Sequence, residues 1–178
     1  MVIKILPLLN VSDKILNDLK EEIGRAFLTK VEIEKALVSL PDNVYNKEKE
    51  QYDASKLVDY LSKYAEKIGG EKIVAVCNLD LYIEGMNFVF GVAQKGGGVC
   101  LISLYRLDQR FYAKESNYGK LKERATKETI HELGHCFGLE HCKKEDCVMF
   151  FSNHILSVDQ KEKFFCDNCR ELLRGKLK

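Results

Sequence analysis

A chain of 178 residues, 46% hydrophobic and 31% charged, has the size and polarity of one folded domain, which excludes a disordered or membrane-embedded chain. Its 28 Lys and Arg nearly cancel 27 Asp and Glu, so the formal charge is +1 and the basic excess needed to neutralise phosphates is missing. Nucleic acid is therefore not an expected partner. Nor is a membrane, since no run approaches the roughly 18 uninterrupted apolar residues of a span.

Val2–Leu9 is a short apolar run broken by Lys4 and without a small-residue cleavage site. It reads as a first strand and not as a signal peptide, so a cytoplasmic protein is expected. Pro7 marks this strand as an edge, or marks its end. Ser12 or Asp13 can cap a following helix whose apolar residues Ile15, Leu16, Leu19, Ile23 and Phe27 recur at helical spacing. A second strand is expected over Val31–Leu40, a turn at Pro41-Asp42-Asn43, and an exposed charged loop over Asn46–Tyr52. Asp53 or Ser55 opens a second helix, with Leu57, Val58, Leu61, Tyr64 and Ile68 on one face and Gly69-Gly70 at its end.

Lys72–Ile83 and Asn87–Ala93 read as strands, and Gly96-Gly97-Gly98 turns the chain into a further strand over Val99–Leu107. No helix opening with Lys-Ser/Thr follows those glycines, so they form a hairpin turn and not a phosphate cradle. Helical periodicity resumes near Asn117 and runs to Gly138; a final helix begins near Ser157 and is interrupted near Cys166. This order predicts an α/β (α+β) fold over 1–178, with a mixed sheet whose hairpin strand is antiparallel to the rest.

The chemistry concentrates in the last third. All 4 histidines (His131, His135, His141, His154) and 5 of the 7 cysteines lie there, only Cys77 and Cys100 standing apart. An odd cysteine count without an export signal argues against a disulfide framework. His131-Glu132-Leu133-Gly134-His135 on a helix places two imidazoles one turn apart on one face, with Glu132 about 100° aside, beside the metal and not on it. Gly138 and His141 complete H-E-x-x-H-x-x-G-x-x-H. A glycine there can take the left-handed conformation that ends the helix and brings His141 round as third ligand, leaving a coordination position for water. Cys142-x4-Cys147 and Cys166-x2-Cys169 have the spacing of a closed four-cysteine zinc site. Two zinc ions per chain are expected, one catalytic and one structural.

His131–His141 resembles the metzincin metallopeptidases, and the four downstream cysteines resemble the archaemetzincin family in particular. Gln51-Tyr52 before a helix and the hairpin strand are also what that family would show. The resemblance implies the metzincin fold: a twisted mixed sheet with one antiparallel edge strand, an active-site helix, a Met-turn and a C-terminal helix. Residues 1–138 would hold the sheet and helices, and 139–178 a C-terminal subdomain. Met149 in Cys147-Val148-Met149 matches the Met-turn methionine. Some metzincins carry a Tyr two residues after that Met; here the position is Phe151, and His154 is the nearest side chain that could replace its donor.

The expected function is zinc-dependent hydrolysis of short or unfolded peptides by a monomer, with Glu132 as general base and then general acid and Asn87–Ala93 pairing with the substrate. The rival is a zinc-stabilised module that binds a peptide or protein without cleaving it. Cys136 is expected in the core, Met86 in a loop or the core, and Asp80 at a strand-end turn. The basic residues of the tail, Lys161 among them, are expected on a solvated helix face interleaved with acids.

Overall fold

The computed structural model describes residues 1–35, 38–69 and 71–177. Five strands form the main sheet: β1 (Val2–Pro7), β2 (Lys30–Ile33), β5 (Lys72–Cys77), β8 (Val99–Ser103) and β7 (Gly91–Ala93), in the order β2-β1-β5-β8-β7. All neighbours are parallel except β7, the antiparallel edge strand against β8. Parallel strands need covered faces, and alternation in the apolar runs supplies both. Ile3, Ile5, Val74, Val76, Cys100 and Ile102 face one core; Leu6, Ile73, Ala75, Cys77, Val99 and Leu101 face the other.

Helix α1 (Asp13–Phe27) packs on the first face, presenting Ile15, Leu16, Leu19, Ile23 and Phe27 at the expected spacing. Helix α2 (Ala54–Ile68) covers the second with Leu57, Val58 and Leu61. From β1 the chain steps outward to β2 and then back past β1 to β5, so right-handed crossovers put the two connecting helices on opposite faces. Of the two candidate caps for α2, Asp53 is the one used, accepting from the Lys56 N–H at 3.1 Å. Gly69, at φ 65°, terminates the helix.

One open reading is settled and three expectations need correction. β1 is an interior strand, and Pro7 marks only its end, where a missing N–H costs no ladder bond. β2 stops at Ile33, well short of Leu40; positions 36 and 37 lie outside the described residues. The segment taken as a loop over Asn46–Tyr52 carries a hairpin of β3 (Tyr45–Asn46) and β4 (Gln51–Asp53), and Gln51 is buried. Lys72–Ile83 divides: its start is β5, while β6 (Leu81–Tyr82) leaves the main sheet to pair with β4.

Helix α3 (Tyr118–Cys136) packs beside α1 on the first face, its start capped by Asn117, which accepts from the Lys120 N–H at 3.0 Å. The C-terminal helical region is interrupted as expected, into α4 (Ile155–Gln160) and α5 (Asp167–Lys176), with Cys166 just before the second. Among the described residues no helix is long and apolar enough to cross a membrane.

Candidate functional site

Burial decides where α3 places its chemistry. Its first turns meet solvent, but from Arg124 to Gly134 every residue is buried. His131 and Glu132 thus point into the protein beside the edge strand, and His135 one turn later is half-buried. Gly138 sits at φ +79°, the left-handed conformation expected of it, and the chain reverses to bring exposed His141 back to the same place. The imidazole rings of His131 and His135 lie 4.6 Å apart, those of His135 and His141 4.7 Å. One ring nitrogen from each of the three falls within 4.8 Å of the others.

Hydrogen bonding fixes which nitrogens converge. His131 Nδ1 lies 2.8 Å from the Val148 carbonyl and His135 Nδ1 2.7 Å from the Leu139 carbonyl, so each Nδ1 carries the proton. Both Nε2 atoms then present lone pairs, and they face each other at 3.1 Å. Two lone pairs cannot hydrogen-bond; a cation between them removes the repulsion. Nitrogens bound tetrahedrally to zinc sit about 3.3 Å apart, so the residues fit that ion. Burial, together with the Lys161 ammonium and neighbouring His135, drives the His131 pKa well below the usual range, and burial lowers those of His135 and His141. Neutral imidazole is the form a metal requires.

Glu132 is buried against β7. A Cβ at Gly91 would stand 2.7 Å from Glu132 Cγ and 2.9 Å from the Leu101 carbonyl oxygen, so only glycine lets the strand pass this close to the carboxylate. Burial first, then the neighbouring Glu128 charge, pushes the Glu132 pKa well above the ordinary carboxylate value. The cleft in front is walled by Phe88, Phe90 and Val92 on the strand side and by His131, Glu132 and His135 on the helix side. Met86 lines it too, from the loop before the strand. Phe151 closes the lower rim, its ring 4.9 Å from that of His141. An ion pair between Lys95 and Glu140 spans the rim at the His135 end.

Met149 is fully buried beneath α3, where a Cβ on Gly134 would overlap its sulfur. His154 is placed differently from the expectation. Its Nδ1 accepts from the Ser157 N–H at 3.1 Å as the cap of α4, and it is absent from the cleft wall, so the donor role has no geometric support. Asp80 pairs bidentately with Arg106 at 2.6 and 2.7 Å, and Cys136 is fully buried in the core.

The second cluster begins at the next peptide bond. Sγ atoms of Cys142, Cys147, Cys166 and Cys169 all lie within 4.8 Å of one another. Cys142 and Cys166 are 3.8 Å apart, matching the ~3.8 Å that two thiolates keep on a tetrahedral zinc. The Lys144 N–H points to Cys142 Sγ and the Cys166 N–H to Cys147 Sγ, both at 3.4 Å. Burial alone would raise the Cys166 thiol; the Cys169 N–H and the neighbouring sulfurs outweigh it and hold that pKa below its usual value.

Sequence reasoning missed two features. The close approaches at Gly91 and Gly134 have no local signature, because they exist only once strand, helix and Met149 are assembled. Lys161, assigned to a solvated face, is fully enclosed and pairs with buried Glu128 at 2.8 Å. A lysine flanked by acids has no local signature that separates these outcomes.

Comparison with known proteins shows the family. The profile of peptidase family M54 matches residues 8–175. The chain is 40% identical over 181 residues to the archaemetzincin of Pyrococcus furiosus, covering 99% of this chain and 94% of that one. It is 38% identical to the archaemetzincin of Methanocaldococcus jannaschii, with the same coverage. Among solved structures, a zinc-dependent peptidase from Methanocorpusculum labreanum superposes with TM-score 0.88 at 28% identity, over 96% of this chain and 99% of its own. The archaemetzincin of Methanopyrus kandleri gives TM-score 0.86 at 34% identity, over 99% and 95%.

Proposed function

The chain belongs to peptidase family M54, and from that premise we propose how this zinc metallopeptidase divides the work among its residues. His131, His135 and His141 hold the catalytic zinc. When bound, the ion supplies Lewis acidity, polarising a scissile carbonyl and bringing the pKa of water towards ~7. Glu132 accepts the proton of the attacking water and delivers it to the leaving amine. The outer edge of β7 offers unpaired backbone groups to an extended peptide, which would add to the sheet as a further strand.

Cys142, Cys147, Cys166 and Cys169 hold a second, structural zinc that ties the segment after α3 to the start of α5. With Phe151 in place of a hydroxyl donor, one source of oxyanion stabilisation is missing. Such a donor is typically worth ~10²–10³ in rate, so short or unfolded peptides are the expected substrates.

The single observation that carries this reading is the buried Glu132 carboxylate beside three convergent imidazole nitrogens. A pure binding site has no use for it. Glu132→Ala should keep its zinc and lose hydrolysis of a mixed peptide library. Equal turnover in variant and parent would contradict the mechanism, and retention of peptides without cleavage by the parent would favour a binding module.

A further inference from the structure

Among the described residues Lys161 is the most enclosed charged one: its side chain has 0% exposure and that of its partner Glu128 has 5%. From the end of α4, its ammonium reaches Glu128 Oε1 at 2.8 Å, the Phe150 carbonyl at 3.4 Å and the neighbourhood of His131 Nδ1 at 3.5 Å. His131 Nδ1 donates to Val148, so this last approach is proximity and not a hydrogen bond. The pair therefore joins three things: the turn of α3 just before His131 and Glu132, the backbone beyond Met149, and the end of α4.

Enclosing two opposite charges is a poor route to stability, because desolvation offsets most of their attraction and an apolar pair of similar volume usually does as well. Docking of α4 is already secured elsewhere. Arg124 grips Asp159 bidentately at 2.6 and 2.8 Å and also bonds the Leu107 carbonyl at 2.9 Å, while Lys127 reaches the Asp159 carbonyl at 3.2 Å. The Arg124 tie acts one turn further from the metal ligands than Glu128, and Lys127, beside Glu128 on the same turn, reaches only a backbone carbonyl of α4. Lys161 acts at the turn of the site itself, and Glu128 lines the cleft.

Building on the peptidase reading, we infer that Lys161 is a positioning residue for the reaction. Through Glu128 and the Phe150 carbonyl it fixes the register of α3 against the Met149 turn, and so sets His131 and Glu132 relative to each other and to the cleft. Apolar packing would fill the same space, but only the ammonium holds Glu128 Oε1 and the Phe150 carbonyl together from the end of α4. A misplacement of about 1 Å in such a centre can cost ~10²-fold in rate.

The test separates positioning from stability. Lys161→Met alone should lower both Tm and kcat, since it strands the Glu128 carboxylate in the interior. Lys161→Met combined with Glu128→Leu should return Tm to the parent value or above, yet leave kcat at least tenfold down and alter the visible absorption bands of the cobalt-substituted protein. Lys161→Gln with Glu128→Gln provides the same comparison should the apolar pair not fold. Recovery of kcat together with Tm in the paired variants would overturn the inference, as would an unchanged kcat in Lys161→Met. A parent that cleaves no peptide would count against the peptidase reading alone; the cobalt bands would then decide, an altered spectrum in the paired variants supporting Lys161 and an unchanged one refuting it.

Discussion

Two ligand clusters meet at the His141–Cys142 peptide bond and differ in almost everything else. The histidine cluster has neutral ligands, one of them exposed, and opens onto a cleft beside an edge strand. The cysteine cluster gathers four sulfurs within 4.8 Å of one another, with backbone N–H groups turned towards two of them. Ligand number accounts for the contrast. Three ligands leave one direction for water and substrate, whereas four leave none and make the metal part of the fold. In the proposed reading, the shared backbone segment would let a closed structural site brace the reactive one.

The largest effect should come from the closed site. Replacing Cys166 and Cys169 with Ser removes two of four ligands, and zinc binding in small structural sites carries about 10–16 kcal/mol of folding free energy. Loss of one zinc equivalent, a large fall in Tm and proteolysis after His141 are expected. An unchanged melting curve would erase the distinction between the two clusters.

Next comes Gly91→Ala. The added methyl meets a backbone carbonyl that cannot yield, so strand and Glu132 must separate. Zinc content should persist while kcat falls by roughly 10²-fold. The same change beside the cysteine cluster has the opposite sign. A Cβ on Gly175 in α5 meets nothing within 4 Å, so Gly175→Ala should stabilise by about 0.5–1 kcal/mol, read as a rise in Tm.

A smaller, pH-dependent term lies at the tie between α3 and α4. Burial alone would raise the Asp159 pKa, but the Arg124 guanidinium outweighs it and holds the carboxyl below its ordinary value. With the folded pKa depressed below the unfolded value of ~3.9, this contribution is present above pH ~4 and fades as acid protonates the folded carboxyl. The Tm gap between parent and Asp159→Asn should therefore be wide at neutral pH and shrink below pH 4. A small change is also expected from His154→Ala, which removes the side chain that accepts from the Ser157 N–H at the start of α4. It should lower Tm slightly and leave kcat alone. A clear loss of kcat would restore His154 to the reaction.

The parts of this molecule legible from sequence are those governed by local spacing. His131, His135, Gly138 and His141 declare themselves because one helix and one glycine-enabled reversal determine their geometry. The amphipathic helices α1 and α2 follow for the same reason. What escaped depends on distant partners. The two- and three-residue strands of the small sheet exist only because Tyr52 meets Leu81 across the fold, and β1 is interior only because β2 and β5 both return to it. Lys161 and Glu128 escaped because burial of a charge is a property of the assembled protein. Even His154, correctly located just beyond the Met149 turn, serves a helix end where proximity in sequence suggested the cleft.

Metal content followed through chelation tests the division between the sites most directly. Freshly purified protein should contain two zinc ions per chain. A strong chelator should remove one of them quickly, with peptide hydrolysis lost in parallel, while the other stays and the fold with it; added zinc should restore activity. One zinc or fewer at the outset, or both leaving together with unfolding, would contradict an open reactive site braced by a closed structural one.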